Sequence, residues 1–298
     1  MIKRIVIITY NILSPNLAKL MINDDSYTVE IMDNDNRLKQ IIDYINSWIK
    51  LYSKYNLIIC LQEVCEEWLI HISKLFNENS FSYLNIQHGR VDNGNMGVLI
   101  AYPSRLHILK SDLYVVGKHI EVVDENSRKA SIKTNTAILA VFVDKELDVR
   151  FGVITYHMPC VPTIQEIGLL HCKTLYRHIK KFIGDDYWVL AGDFNMTYDS
   201  LAYKYMIRKA KLGCIWTDTL RSYPITNHAI IADKEFSGCI DYIFYKKAQY
   251  SKKDSTKYIY KRRGLICDKV KLNKLTTIIP NKYEPSDHIP ILSEFLIL

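Results

Sequence analysis

Short apolar runs that end in polar side chains are the feature that most limits how this 298-residue chain can fold. Residues 5–12 are rich in β-branched side chains and almost continuously apolar, and residues 57–61 form a second run of the same kind. Strands that are buried on both faces have this composition, because they leave no position for a solvent-facing side chain. We therefore expect a sheet that is covered on both sides.

Helical periodicity separates these runs in the first part of the chain. The spacing of apolar residues predicts helices over 37–52 and 166–183, a helix that carries Trp68, Ile72 and Phe76 on one face, and a helix near 201–211. Residues 23–35 are polar and acidic, which is typical of a loop. Further strands are expected at 97–102, 136–143, 149–155, 188–194, 240–245 and 289–296. This order indicates a mixed, layered α/β fold whose strand-end loops gather at one edge.

The positive charge of the chain lies mainly in one segment. Between Lys246 and Lys274, eleven Lys and Arg stand against two Asp, a net charge of +9, whereas the whole chain carries +7 and its remainder therefore −2. Such a segment favours a polyanionic partner, with nucleic acid first. On charge alone, a solvated loop that keeps the protein soluble is an equal alternative.

Cysteine usage and the N-terminal sequence indicate the compartment. The chain has seven cysteines and no Cys-x-x-Cys pair, which predicts free thiols, a reducing compartment and no structural zinc. The apolar run after Lys3 and Arg4 is too short to span a membrane, and no small-residue cleavage site follows it. We expect a cytoplasmic protein with no signal peptide and no membrane association.

Acidic, His and Asn side chains stand at the ends of the predicted strands. Several carboxylates gathered there would repel one another unless a cation lay among them, and oxygen ligands favour Mg²⁺ or Mn²⁺. The His and Asn side chains suit a phosphoryl group, whose charge they would neutralise. The set indicates metal-assisted hydrolysis of a phosphate ester. Its members are Asn11, Glu63, His157, Asp193, Asn195, Asp241, Asp287 and His288.

Six ordered sequence blocks carry a resemblance to a known family. They are Tyr10-Asn11, Leu61-Gln62-Glu63, Tyr156-His157, Gly192-Asp193-Phe194-Asn195, Ile240-Asp241-Tyr242 and Ser286-Asp287-His288. In this order they resemble the endonuclease/exonuclease/phosphatase superfamily. The residues in and next to these blocks are most similar to its Ccr4, nocturnin and 2′-phosphodiesterase branch, the deadenylase-like proteins. The resemblance implies a DNase I-like four-layer α/β sandwich, in which two mixed sheets pack face to face with helices outside. It also implies one catalytic domain over 1–298, with a basic insertion at 246–283.

The resemblance also implies catalytic roles. Glu63 is expected to be the principal Mg²⁺ ligand, and Asp193 to position or deprotonate the attacking water. Asn195 is expected to hold a phosphate oxygen, and Asn11 to orient either the metal ligands or a phosphate oxygen.

For the remaining strand-end residues, the resemblance does not assign one role to each residue. His157 and His288 are expected to neutralise phosphate charge. Either Asp241 or Asp287 is expected to orient His288 and the other to approach a second metal ion, and the sequence leaves this choice open. Asp287 is placed with Glu63 among the expected metal ligands, and Asp241 among the catalytic residues.

A base pocket and an RNA-binding segment complete the expected site. In family deadenylases an aromatic residue five before the catalytic Asp stacks on an adenine, and a proline five after the strand-end His lines the same pocket. Here these positions are Phe236 and Pro162. The alternative is that both residues only pack within loops. Lys261, Arg262 and Arg263, which follow Tyr258 and Tyr260, are expected to bind RNA.

The expected function is that of a Mg²⁺-dependent phosphodiesterase, a 3′-to-5′ exoribonuclease or poly(A)-specific deadenylase. Its expected partner is single-stranded, adenine-rich RNA. The leucine-rich repeat segment that often precedes the domain in family deadenylases has no counterpart in this sequence, so docking through such a segment is not expected. Alternatives are a phosphatase or 2′-phosphodiesterase acting on small nucleotides such as 2′,5′-oligoadenylate or NADPH, a DNase I-like or abasic-site endonuclease, and a non-catalytic RNA-binding protein.

Overall fold

The computed structural model describes residues 3–21, 26–89, 94–231, 234–247, 249–250, 262–263, 265–275 and 277–297. Its strands, in chain order, are β1 (Lys3–Asn11), β2 (Asn56–Val64), β3 (Phe81–Gln87), β4 (Gly97–Pro103), β5 (His107–Val115), β6 (Thr136–Asp144), β7 (Val149–His157), β8 (Tyr187–Asp193), β9 (Gly213–Cys214), β10 (Asn227–Ile231), β11 (Lys234–Gly238), β12 (Asp241–Tyr245), β13 (Gln249–Tyr250), β14 (Arg262–Arg263), β15 (Leu265–Lys271) and β16 (Ile291–Ile297).

Two six-stranded sheets form the centre of the fold. The first has the order β15-β16-β1-β2-β4-β3, and the second has the order β5-β6-β7-β8-β12-β9. Each sheet is mixed: β1 and β2 are parallel in the first, β7 and β8 are parallel in the second, and the other pairs are antiparallel. Two hairpins, β10–β11 and β13–β14, lie outside the sheets.

The helices flank these sheets. They are α1 (Pro15–Ala18), α2 (Val29–Met32), α3 (Asn34–Leu51), α4 (Glu66–Glu78), α5 (Glu125–Ser131), α6 (Gln165–Ile183) and α7 (Leu201–Lys204). A 3₁₀ turn covers Gly117–His119, and π-helical turns cover Tyr205–Lys209 and Trp216–Leu220. Within the described part of the chain, no helix combines the length and apolarity that crossing a membrane requires.

Alternation along β1 shows how the layers are built. Ile5 and Ile7 enter a core shared with the second sheet, whereas Val6 and Ile8 pack with the apolar stripes of α3 and α4. Successive side chains of a strand point to opposite faces, so one continuous apolar run supplies both cores. The second sheet is covered on its other side by α6. The predicted DNase I-like four-layer sandwich of two facing mixed sheets is confirmed.

Several element bounds differ from the predictions. The first long helix begins at Asn34 rather than at 37, because the Asp33 side chain accepts a hydrogen bond from the Asn36 amide (2.9 Å) and caps it. The predicted loop over 23–35 therefore contains α2 and the first residues of α3. The helix expected near 201–211 is a short α-helix that continues as a π-helical turn. The strands without a sequence prediction include β3, β5, β10, β11 and β15.

The basic segment is only partly described. Within it, β15 pairs with β16 at the edge of the first sheet, and β13 pairs with β14. Lys261 lies outside the described residues, as do Tyr258 and Tyr260. For Arg262 and Arg263 the description covers the backbone of β14. A single domain with an insertion at 246–283 stays a prediction, although the part that forms β15 is integrated into the sheet.

Candidate active site

Strands from both sheets end at a common edge and bring their polar residues together. Asn11 ends β1 beside Gln62, the neighbour of Glu63, because β1 and β2 are parallel. His157 ends β7 directly beside Asp193, the last residue of β8, and Asp241 begins β12 opposite Asp193. These neighbours follow from strand register alone. Asp287 and His288 reach the same place from the segment before β16.

Glu63 occupies an irregular position that turns its carboxylate toward this edge. Its φ is +60°, and the pairing of β2 with β4 is interrupted there, between Gln62 and Val64. A bulge of this kind redirects a side chain, and a non-glycine residue in the left-handed region stores strain that a site of function commonly explains. The amide of Asn11 donates to Glu63 Oε1 (2.9 Å) and the backbone N–H of Ser14 donates to Oε2 (3.0 Å).

Asn11 links the two sheets at the site. Its Nδ2 donates to Glu63 Oε1 and to Asp193 Oδ2 (3.0 Å), while its Oδ1 accepts a hydrogen bond from the Leu13 amide (3.0 Å). A neutral amide that donates to two carboxylates holds them near each other without adding a charge. Asn11 thus contacts both carboxylates, and the role of orienting them stays a prediction.

Asp193 and Asn195 form a turn at the end of β8. The backbone N–H of Asn195, at φ +46°, donates to Asp193 Oδ1 (2.8 Å), and its side-chain Nδ2 donates to the carbonyl of Met158 (2.9 Å). Burial, reinforced by the nearby Asp241, raises the pKa of Asp193 to about 7, although His288, the Asn195 amide and Asn11 oppose the shift.

His288 is held by Asp241. Its Nδ1 lies 2.8 Å from Asp241 Oδ2, and its Nε2 lies 3.6 Å from Asp193 Oδ2 and 3.9 Å from Asp287 Oδ1. Burial alone would lower the pKa of His288, but Asp241, Asp287 and Asp193 outweigh it and raise the pKa well above its ordinary value. Of the two acids left open by the sequence, Asp241 is the one hydrogen-bonded to His288.

His157 faces the same carboxylates without a partner behind it. Its Nε2 lies 3.5 Å from Asp193 Oδ2 and 4.0 Å from Glu63 Oε1, and its buried Nδ1 has no hydrogen-bond partner among the described residues. Burial lowers the pKa of His157 more than the charge of Glu63 raises it. The surroundings therefore favour neutral His157 and protonated His288. Asn135 fixes the end of the strand by donating to the carbonyl of His157 (2.9 Å).

Three residues that were given no role from the sequence support the site, and one of them, Ser286, belongs to the sixth sequence block. The Ser286 hydroxyl donates to the carbonyl of Asn11 (2.7 Å) and accepts from the His288 amide (3.2 Å), and Asn227 donates to Asp287 Oδ2 (3.3 Å). The buried Arg37 guanidinium donates to the carbonyls of Pro285 (2.7 Å) and Ile12 (3.3 Å). A charge on the apolar stripe of α3, four residues before Ile41, was the available signal for Arg37.

A cleft of about 650 Å³ opens from these residues. Glu63, His157, Asp193, Asn195, Asp287 and His288 line it. Pro162 and Phe236 line it as well, and the Phe236 side chain on β11 is 42% exposed. The structure thus brings both predicted base-pocket residues to this cleft, whereas the side chains of Lys261, Arg262 and Arg263 lie outside the described part of the chain.

The charges at this edge fit a divalent metal ion. Glu63, Asp193, Asp241 and Asp287 are buried carboxylates, and the buried cations beside them in the described part of the chain are His288 and Arg37. When all four carboxylates are ionised, they exceed the two cations by two charges, which one divalent ion would balance. Glu63, His157 and Asp193 each present a ligand atom within 4.8 Å of the others, and the carboxylate oxygens are hard donors of the kind Mg²⁺ prefers.

Comparison with known proteins identifies the family to which the chain belongs. No curated protein sequence matches the chain at a significant level. The catalytic domain of human Nocturnin, solved with a bound sulfate anion, superimposes with a TM-score of 0.72 and 17% identity, covering 99% of this chain and 94% of that one. ANGEL2, a 2′,3′-cyclic phosphatase solved with adenosine-2′,3′-vanadate, gives a TM-score of 0.74 and 16% identity over 99% and 96%.

TDP2 from D. rerio, complexed with a single-stranded DNA product, gives a TM-score of 0.64 and 14% identity over 98% of each chain. At these identities the likeness concerns the fold. The sequence model of the Endonuclease/Exonuclease/phosphatase family matches residues 8–288. The members of this family are phosphoric ester hydrolases that generally depend on a divalent metal ion. From Ile8 to His288, and thus over nearly its whole length, the chain belongs to the endonuclease/exonuclease/phosphatase family.

Proposed function

We propose that the chain is a Mg²⁺-dependent phosphodiesterase that removes nucleotides from the 3′ end of single-stranded, adenine-rich RNA. One observation carries this proposal: the charged strand-end cluster and the exposed ring of Phe236 line one cleft. A substrate with both a phosphodiester and a base next to it would use the two parts together. Stacking on an aromatic face is a common way to grip a single-stranded base.

The charge states of the site support attack by water. Asp193, with a pKa raised to about 7, would accept the proton of a water molecule near neutral pH. His288, held protonated by its three acidic neighbours, would donate to a phosphate oxygen. The second N–H of the Asn195 amide, which makes a long contact with Asp193 Oδ2 (3.5 Å), would donate to another phosphate oxygen.

Glu63 and Asp287 are the metal ligands that we propose. When bound, Mg²⁺ (or Mn²⁺) would polarise a non-bridging oxygen and offset the charge that develops on the leaving 3′-oxygen. Asn11 would keep Glu63 and Asp193 in place, since it donates to both.

Product analysis on three labelled substrates tests the proposal. With 5′-labelled A20, U20 and deoxy-A20 in Mg²⁺, we expect A20 to shorten stepwise from its 3′ end, faster than the other two, with release of 5′-AMP. Equal rates on all three would contradict the adenine preference, and an absence of cleavage on all three would contradict the nuclease assignment. Glu63→Ala and Asp193→Ala should each abolish turnover, whereas Glu67→Ala, an exposed acid on α4, should retain it.

A small nucleotide is the second candidate substrate. Among the described residues that line the cleft, the Lys and Arg side chains are Lys133 and Lys234, fewer than a long RNA backbone commonly meets. A phosphatase or 2′-phosphodiesterase acting on a compact nucleotide needs fewer such contacts. Release of inorganic phosphate from NADPH, or cleavage of 2′,5′-linked oligoadenylate in preference to A20, would favour this candidate.

The basic segment would supply the missing cations for a long RNA. We propose that Lys261, Arg262 and Arg263 bind its phosphates. Neutralising all three should weaken RNA binding and flatten the dependence of log affinity on log salt by up to about 0.7 per lost contact. An unchanged salt dependence would mean that this segment does not meet the substrate.

A further inference from the structure

We propose that Tyr198 is a second base-stacking platform, which holds a nucleobase of the RNA other than the terminal one. The inference rests on the proposed nuclease function and narrows the substrate to an oligonucleotide. Tyr198 lies three residues after Asn195, in the loop between β8 and α7. Its side chain is 52% exposed although it is large and aromatic.

One face of the Tyr198 ring packs on another tyrosine. It stacks on Tyr223 with ring centroids 4.4 Å apart and planes inclined by 11°. Offset stacking of this kind covers part of one face, and the 52% exposure of Tyr198 indicates that the other face lies toward solvent. A planar, ordered and solvent-facing aromatic surface is what a base needs for stacking.

The supporting residues fix this surface before any ligand arrives. The hydroxyl of Tyr223 lies 3.0 Å from that of Tyr203, and the two rings meet edge to face at 5.8 Å. Tyr203 is buried and packs against Tyr242 and Phe244 of β12. Tyr198 is therefore tied through two tyrosines to the core, which reduces the side-chain entropy that binding would otherwise cost.

The platform lies beside the cleft. Thr197 and Ser200, on either side of Tyr198 in the sequence, both line the cleft, and Tyr198 lies just outside this lining. The loop is closed by a hydrogen bond from the Ser200 amide to the Thr197 carbonyl (3.1 Å), and the Ser200 side chain caps α7 by accepting from the Tyr203 amide (3.1 Å). Tyr198 thus stands at the rim of the cleft, on a different element from Phe236.

The two aromatic surfaces have separate tasks in this proposal. Phe236 and Pro162 receive the terminal base, next to the strand-end cluster. Tyr198 receives a base further along the same strand, so that the scissile phosphodiester lies in a chain held at two points. A mononucleotide has no second base and gains nothing from Tyr198.

A protein–substrate cycle tests the platform. The kcat/KM of the full chain is measured on A10 and on A10 with one abasic ribose at the second or third nucleotide from the 3′ end. With the wild-type protein, one of the abasic substrates should be roughly tenfold poorer than A10, the lower part of the range for one stacked base. Tyr198→Ala should lose about the same factor on A10 and lose nothing further on that abasic substrate. Tyr198→Phe should behave like the wild type.

The control and the contrary outcomes separate this inference from the proposed function. Tyr55→Ala, a half-exposed tyrosine beside the start of β2, should leave both rates unchanged. If A10 is cleaved and neither abasic position couples to Tyr198, the platform is wrong and the nuclease stands. If the wild type cleaves no RNA, the nuclease assignment is wrong. The affinity of the protein for 5′-fluorescein-A10 in EDTA then tests the stacking role of Tyr198. A roughly tenfold weaker affinity in Tyr198→Ala supports it, and an equal affinity overturns it.

Discussion

The Nδ1 atom of His288 lies 2.8 Å from the Oδ2 atom of Asp241, and both side chains are almost completely buried. The two residues come from different parts of the chain, the start of β12 and the segment before β16. A carboxylate at this distance fixes the orientation of the imidazole and favours its protonated form. The other ring nitrogen is thereby directed toward Asp193 and the cleft.

Replacing Asp241 by Asn should therefore impair turnover without removing a hydrogen-bonding side chain. Asp241→Asn takes away the largest charge that favours protonated His288, and we expect kcat to fall by roughly 10²-fold or more. Steady-state kinetics on A20 measure this change. The chain offers a matched control in a second pair, because His178 Nε2 lies 2.7 Å from Asp112 Oδ2 outside the cleft. Asp112→Asn should retain activity, and equal losses in both variants would contradict a specific role for Asp241.

Asp193 should make the stability of the metal-free protein depend on pH. Its pKa is about 7 in the folded chain, against an ordinary value near 3.8, so folding favours the protonated carboxyl. The folded state therefore loses stability as the pH rises from about 4 through 7, and the full loss is present above that range. Asp193→Asn removes the titration and should stabilise the protein in EDTA near pH 8, by on the order of 2–4 kcal/mol, but hardly near pH 4.

Thermal unfolding of both proteins at a series of pH values measures this difference. Asp199→Asn, in the same loop, is the control, because a hydrogen bond from Thr197 lowers the pKa of Asp199. Its substitution should give no gain in stability as the pH rises. A pH-independent difference between wild type and Asp193→Asn would contradict the raised pKa.

The sequence was most informative where a local pattern of residue types predicts a local structure, such as a buried strand and its polar end. The apolar run of β1 specifies a strand buried on both faces, and the polar residues that end β1, β2, β7 and β8 lie together because parallel strands share an edge. All eight predicted strand-end residues meet at this edge. Phe236 and Pro162, five residues from two of them, reach the same cleft.

The missed elements lack such a pattern. β5 alternates between exposed and partly exposed residues at the border of a sheet, and β10 and β11 form a hairpin outside both sheets, so no apolar run marks them. Asp241, rather than Asp287, is the acid that forms a hydrogen bond with His288. This contact joins residues 47 apart in the sequence, and residue spacing alone does not predict it. The role of Arg37 has no local signature beyond a charge on an apolar stripe, since three of its four hydrogen-bond acceptors are backbone carbonyls of distant loops.

Metal binding should be visible as a gain in stability that depends on Glu63. A ligand that binds the folded state alone raises stability by RT ln(1 + [L]/Kd), about 2.7 kcal/mol at a hundredfold excess over Kd. Mg²⁺ should therefore raise the Tm of the wild type by several degrees, and Glu63→Gln should lose most of this increase. Glu67→Gln, with its exposed side chain, is the matched control. An undiminished Mg²⁺ effect in Glu63→Gln would remove Glu63 from the ligand set.

Phe236 should determine the preference for adenine, and a glycine beside it allows a test that keeps the aromatic residue. Phe236→Ala should lower kcat/KM on A20 by roughly 10- to 100-fold, the range for loss of one stacked base. A Cβ added at Gly238 would lie 2.9 Å from Phe236 Cζ, so Gly238→Ala should displace the ring and give a smaller loss of the same kind.

The ratio of kcat/KM on A20 to that on U20 is the readout, because a fold defect would lower both rates alike. Phe236→Tyr keeps the ring and should keep the ratio. An unchanged ratio in Phe236→Ala and in Gly238→Ala would mean that the ring only packs against the hairpin and that the adenine preference, if measured, arises elsewhere in the cleft.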